Sequence, residues 1–267
     1  MRRPVPLVLT LGVLACAFAL SSCSAGTPNP AGSSSDAVAP ATATASASAA
    51  AGAAPIAAPS TCDAVDLTAD AAVAGADLAA CVVAFSKAAG SGHETFSASD
   101  GTTGTADFVF GDAPALSGTV TSSDGTTSFV LTPDASWVTI DGAWVQGDET
   151  SSDPKKMLAG TIGQAYRAFA DPSAAASLIA SAPSWTVQKD QDLVDLPDGT
   201  QVRAWRVQAD APFSAVGAVV QEMTLWLTSG HVPAGVQATV SVAGTQTTTT
   251  QHFSGWGMPV SIATPQP

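Results

Sequence analysis

The chain has 267 residues, 46% of them hydrophobic, with nine Lys and Arg against 22 Asp and Glu and a formal net charge of −13. Clustered positive charge, which phosphate backbones and anionic lipid headgroups both require, is missing, so nucleic acid and electrostatic docking on a membrane surface are set aside as partners. Four cysteines and three histidines leave little material for a metal centre.

The first element is a leader. Arg2 and Arg3 precede an uncharged apolar run from Val5 to Leu20, and small residues lead to Cys23. This is the layout of a secretory signal over residues 1–22. The ending Leu20-Ser21-Ser22-Cys23 resembles the lipobox of bacterial lipoproteins, which implies a diacylglyceryl group on the Cys23 sulfur and cleavage just before it. The run is shorter than the roughly 20 residues a membrane span needs, so the expected attachment is an anchor. Loss of Arg2 and Arg3 would leave seven basic residues against the same 22 acidic ones, a net charge of −15.

Residues 24–60 are nearly all Ala, Ser, Thr, Pro and Gly, with Asp36 the one charge. Such a composition cannot offset its ordering entropy, so residues 23–61 read as a lipidated cysteine and a disordered tether spanning about 35 Å. Residues 62–267 read as one domain. Cys62 and Cys81 remain as an even pair in an oxidising compartment, and a disulfide is expected between them.

Leu78, Val82, Phe85 and Ala89 recur at helical spacing between Thr68, an expected N-cap, and Gly90, an expected stop. After His93 the period becomes two, through Ala106, Phe108 and Phe110, then Leu116 to Val120, Phe129 and Leu131, and Val138 and Ile140. Asp100-Gly101, Asp124-Gly125, Asp141-Gly142 and Asp198-Gly199 punctuate this pattern as hairpin turns. Leu158, Ile162, Ala165 and Phe169 share a helix face after Pro154, and Asp171-Pro172 opens a second helix that ends before Pro183. Strands resume at Trp185 and from Val202 to Ala209, a helical turn is expected over 212–220, and Met223, Leu225 and Leu227 begin the last strands. The class is α+β with an extensive antiparallel sheet, one face apolar and the other rich in Thr and Ser.

The order of these elements resembles the LppX/LprAFG family of actinobacterial cell-envelope lipoproteins, which is similar in fold to the LolA/LolB lipoprotein carriers. The resemblance is carried by the sequence 138–144 (Val-Thr-Ile-Asp-Gly-Ala-Trp), by Ala170-Asp171-Pro172, by the Trp-bearing strand Glu222 to Leu227, and by the closing segment Phe253 to Val260. It implies a curved half-open β-barrel with helices across a concave apolar face, and a cavity there for the acyl chains of an envelope lipid or glycolipid, often beside a membrane transporter. Candidate lining residues are Phe108, Phe110, Leu131, Val138, Ile140, Trp144, Leu158, Ile162, Phe169, Trp205, Val207, Met223, Leu225 and Leu227. The small residues of the helices, Gly160 and Gly163 among them, are expected to leave the curve unfilled. The expected bridge between Cys62 and Cys81 is a departure from the family pattern.

No cofactor is expected, and the chain is expected to act as a monomer. His93, His231 and His252 lack H-x-x-H or H-E-x-x-H spacing, and neither a G-x-S-x-G elbow nor a phosphate-cradling glycine loop occurs, so the expectation is a non-enzyme. Asp148, Glu149 and Asp153 crowd one loop without the calcium-loop pattern and read as a solvated acidic stretch. The alternative reading is a structural or regulatory envelope module with a filled core, meeting a protein partner through Trp226.

Overall fold

The computed structural model describes residues 56–215 and 217–266, without the side chains of 168–170. Cys23, the leader and most of the tether lie outside the described residues. The described part opens with Ile56, whose side chain lies against Gly257, and with a 3-10 turn over Ser60–Ala64.

Strand β1 (Ala72–Ala74) leads directly into helix α1 (Gly75–Ala89). Thr68 is therefore not the N-cap: the helix starts seven residues later, after Ala74 in extended conformation. The reason is tertiary. Val73 pairs with Trp185 and is 3% exposed, so strand pairing captures residues that local propensity leaves free. Gly75 is required at the helix start because any side chain there would strike the Ala182 carbonyl. Gly90 ends the helix as expected, in the left-handed region at φ 75° with its N–H donated to the Ser86 carbonyl.

Six strands follow as a meander: β2 (Ser91–Ala98), β3 (Thr103–Val109), β4 (Ala115–Ser122), β5 (Gly125–Leu131), β6 (Ser136–Ile140) and β7 (Ala143–Gln146). Helix α2 (Pro154–Ala170) begins at Asp153, whose carboxylate accepts the Lys155 amide at 2.9 Å. Helix α3 (Pro172–Ser181) begins in the same way at Asp171, which accepts the Ser173 amide at 2.9 Å. In both, Pro occupies the first position, where its missing N–H costs nothing. The remaining strands are β8 (Ser184–Asp195), β9 (Gln201–Ala209), β10 (Phe213–Ala215), β11 (Ala218–Leu227), β12 (Pro233–Val242) and β13 (Thr245–Ser254). The helical turn expected over 212–220 is instead the β10–β11 hairpin, in which Phe213, Ala215 and Val220 turn their side chains into the core.

All thirteen strands belong to one antiparallel sheet ordered β1-β8-β9-β11-β12-β13-β2-β3-β4-β5-β6-β7, with β10 alongside β11. β1 and β7 are its two ends, and the sheet does not close on itself. Glycine takes positive φ in all four Asp-Gly turns, but only Asp141-Gly142 has both residues there, at 53° and 75°. Ala243-Gly244 makes an equivalent two-residue turn between β12 and β13, at 49° and 86°.

Two clusters form the core on the helix-bearing face. One gathers α1, α3 and the 3-10 turn over β8, β9, β11 and β12, with Trp185, Leu78, Val187, Val207 and Leu227 essentially inaccessible. The other gathers α2 over β3 to β6, around Phe108, Phe129, Leu131 and Val138. The Cys62–Cys81 disulfide, with Cα atoms 4.5 Å apart, ties the 3-10 turn to the middle of α1 inside the first cluster. Phe253 packs against both clusters.

Candidate functional site

Strand pairing sorts the central residues by face. Glu94, Phe96 and Ala98 of β2 stand opposite Phe253, Gln251 and Thr249 of β13 on one side and opposite Ala106 and Gly104 of β3 on the other. Ala106 and Phe253 belong to the core clusters, so this row lies on the helix-bearing face. Three phenyl rings on that face lie over glycines of the adjacent strand: Phe108 over Gly92, Phe96 over Gly104 and Phe129 over Gly118. A ring lying across a glycine protects the backbone while rising little above the sheet. The wall between the two clusters is therefore low.

One end of this middle region is closed by aromatic contacts. The Trp256 ring stands 5.5 Å from Phe85 of α1, 5.3 Å from Phe108 and 5.8 Å from Phe253, and its indole N–H donates to the Pro233 carbonyl at 2.8 Å. Phe110 adds a ring 4.8 Å from Phe108. Toward the other end of the strands, Phe96, Val120, Val240 and Val242 are half-buried. α2 lies closest to β5, β6 and β7, and α1 lies against α3 and the 3-10 turn. Between these two helical covers the floor of β12, β13, β2, β3 and β4, a trough only in that helices flank it, is half-buried at Phe96, Val120 and Val240 and buried at Ala106, Ala238 and Thr249.

The expected lining residues divide between the clusters instead of meeting in one cavity. Phe108, Leu131 and Val138 are buried under α2, with Phe110, Ile140 and Ile162 half-buried beside them. Val207, Met223, Leu225 and Leu227 are buried under α1 and α3, with Trp205 half-buried at the margin. Leu158 is half-buried on α2 and belongs to neither cluster. The Phe169 side chain lies outside the described residues. Trp144 is on the opposite face: it pairs with Thr139 across the Asp141-Gly142 turn, in the row of Ser128, Thr119 and Thr105. There it borders a hollow of about 250 Å³ with His93, Asp107, Thr119, Ser128 and Val130.

The helix glycines also have a different role from the one expected. A Cβ on Gly163 would run into the Ser136 side chain, and one on Gly160 would lie 2.8 Å from the Glu149 amide. These positions let α2 settle against β6 and the loop after β7. A hollow of about 190 Å³ remains beside them, lined by Ser136, Gly147, Glu149, Gly160, Gln164 and Arg167.

The trough contains one ionisable side chain of the central strands. Glu94 faces it from β2, with no hydrogen-bond or charged partner among the described residues, and burial pushes its carboxyl from 4.5 up to about 7. Gln251, half-buried two residues along β13, has no side-chain partner among them either. Thr249, 4% exposed, carries a buried hydroxyl oxygen with no partner. Period-two reading from His93 carries a signal for this row, since Glu94 shares its parity with Phe96.

The histidines are held in the structure of the fold. His93 Nδ1 lies 2.8 Å from Asp107 on the opposite face, His231 Nε2 lies 2.9 Å from the Val65 carbonyl, and His252 packs edge-on to Trp226. Burial holds the His252 imidazole below its usual range. Trp226 is half-buried beside Val194, Ala204 and Ala234, and its indole N–H donates to Asp192 at 2.8 Å. Among the described residues no group of His, Cys, Asp and Glu is arranged to hold a metal ion, and no helix is long and apolar enough to cross a membrane. Asp148 accepts from Thr150 and Asp153 caps α2, so the acidic loop is organised by its own turns.

No protein-family model matches the chain, and no curated protein matches it.

Proposed function

We propose that the protein is a cell-envelope lipoprotein, anchored through Cys23, that binds the acyl chains of a lipid or glycolipid in the apolar trough and carries or presents that lipid. This extends the resemblance to the LppX/LprAFG lipoproteins, including a LolA-like use of the concave face and a membrane transporter as a working partner. The observation that supports it is the row of Phe96, Val120, Val240 and Phe253. These apolar side chains keep solvent contact on the face where their neighbours are packed under helices.

Covering such a row with hydrocarbon is favourable by about 0.8 kcal/mol per CH2, so a sixteen-carbon chain can gain on the order of 10 kcal/mol. No polar motif is needed for that gain, which suits a chain without one. The strip between the clusters is bounded at one end by Trp256 and its aromatic neighbours.

The test is titration of the purified full chain with a fluorescent fatty-acyl probe, in the wild type and in Phe96→Asp and Val120→Asp variants. Saturable binding that weakens at least tenfold in both variants, with a change in Trp256 emission, is expected. Absence of saturable binding, or equal binding by all three proteins, favours the filled-core module instead. The buried state of Val138, Val207 and Leu227 agrees with that second reading at the two ends of the sheet.

A further inference from the structure

Along the seam between β2 and β13 the helix-bearing face carries three polar side chains that the fold does not use, of which Thr249 is buried and Glu94 and Gln251 are half-buried. Glu94 stands opposite Phe253, Gln251 opposite Phe96, and Thr249 opposite Ala98. Successive same-face positions are about 7 Å apart, so the three groups line about 14 Å of the floor. Aliphatic residues at these positions would bury without cost, whereas an unpartnered polar group withdrawn from water is unfavourable. The Thr249 hydroxyl oxygen is buried without a partner, and the Glu94 and Gln251 side chains have none among the described residues.

We infer that this seam receives a hydroxyl-bearing part of the bound lipid, with Glu94, Gln251 and Thr249 hydrogen-bonding hydroxyl groups that a plain hydrocarbon chain lacks. The inference rests on the acyl-binding reading and adds the ligand's chemistry to it. Glu94 accepts a hydroxyl proton as a carboxylate and can also donate one as an acid, a state that burial makes accessible near neutral pH. Gln251 offers both a donor and an acceptor, and Thr249 does the same through one oxygen. The ionisable residues of the flanking strands, Asp107 on β3 and His252 on β13, alternate onto the other face, as does His93 on β2 itself. Tyr166 of α2, stacked 4.3 Å from Phe129, is the nearest phenol in the adjoining cluster. A hydroxyl can come from the polar head of the lipid or from within its chain, and both present the same chemistry to the seam.

The experiment compares four neutral probes as competitors of the fluorescent acyl probe on the full chain. Methyl palmitate and methyl stearate carry no hydroxyl, 1-monopalmitoylglycerol carries hydroxyls in its head, and methyl 12-hydroxystearate carries one in its chain. At least one hydroxylated probe should bind tenfold or more tightly than the ester of matching length, and which one does so identifies the source. In Glu94→Met and Thr249→Val variants, with folding checked by circular dichroism, that ratio should fall toward one. Equal affinity for hydroxylated and plain probes in the wild type, or a ratio that survives both substitutions, overturns the inference while leaving acyl binding intact. If no probe binds, the acyl-binding reading itself fails and this inference falls with it.

Discussion

Replacing Glu94 by Gln should stabilise the protein at pH 8 and leave its stability unchanged at pH 4. In the unfolded chain the carboxyl titrates near 4.5, and in the fold burial moves it to about 7. Between those values the folded state keeps a proton that the unfolded state has released. Stability therefore falls as pH rises, by about 1.4 kcal/mol per pH unit, and levels off above the folded value. The full effect is about 3 kcal/mol, an upper bound because Glu94 retains some contact with water. Gln keeps the shape and cannot ionise, so the variant escapes this loss. For a domain of this size the difference corresponds to about 6 to 10 °C in Tm at pH 8. Urea unfolding of both proteins between pH 4 and 8 measures it. Asp148, Asp171, Asp198 and Asp210 are held below the usual carboxylate range by hydroxyl and amide hydrogen bonds, so their contributions are lost at low pH. They are the same in both proteins and cancel in the difference. A Glu94→Gln effect that does not vary with pH would refute the reasoning, because it would place the carboxylate in water.

Breaking the disulfide with Cys62→Ser and Cys81→Ser together should cost about 3 kcal/mol, from the loop entropy of a separation of 19 residues, read by urea unfolding. Gly163→Ala opposes two effects: helix propensity favours Ala by about 1 kcal/mol, and the clash with Ser136 costs about 1 to 3 kcal/mol. Net destabilisation is expected, and a more stable variant would show that α2 does not sit against β6 at that point. Asp171→Ala should lower stability by about 1 kcal/mol by removing the N-cap of α3, an effect that shrinks in acid only as pH falls through the range to which the Ser173 hydrogen bonds lower this carboxyl.

The alternating strands from Ala106 to Ile140, the Asp171-Pro172 helix start and the cysteine pair were legible because each rests on local chemistry, whereas Asp153, read as part of an acidic loop, proves to cap α2. Period-two burial, a carboxylate aimed at free amides and an oxidised pair need no knowledge of distant partners. The face of Trp144 was also within reach, since a two-residue turn at Asp141-Gly142 sets Trp144 opposite Thr139 and away from Val138. Other features had no local signal. β1 exists because Val73 finds Trp185, more than a hundred residues away in the chain, and the 3-10 turn is held by Cys81. Division of the apolar face into two clusters depends on β13 lying beside β2, a pairing that joins the last strand to the first of the meander. Without that pairing, Glu94, Gln251 and Thr249 could not be placed along one seam.

Extraction of the purified full chain into organic solvent, after expression in an actinobacterial host and gentle isolation, with mass spectrometry of the extract, addresses acyl binding most directly. A stoichiometric long-chain lipid bearing at least one hydroxyl, depleted when Phe96 is replaced by Asp, is the expected result. A protein that emerges free of lipid, from a host rich in envelope lipids, would contradict the account.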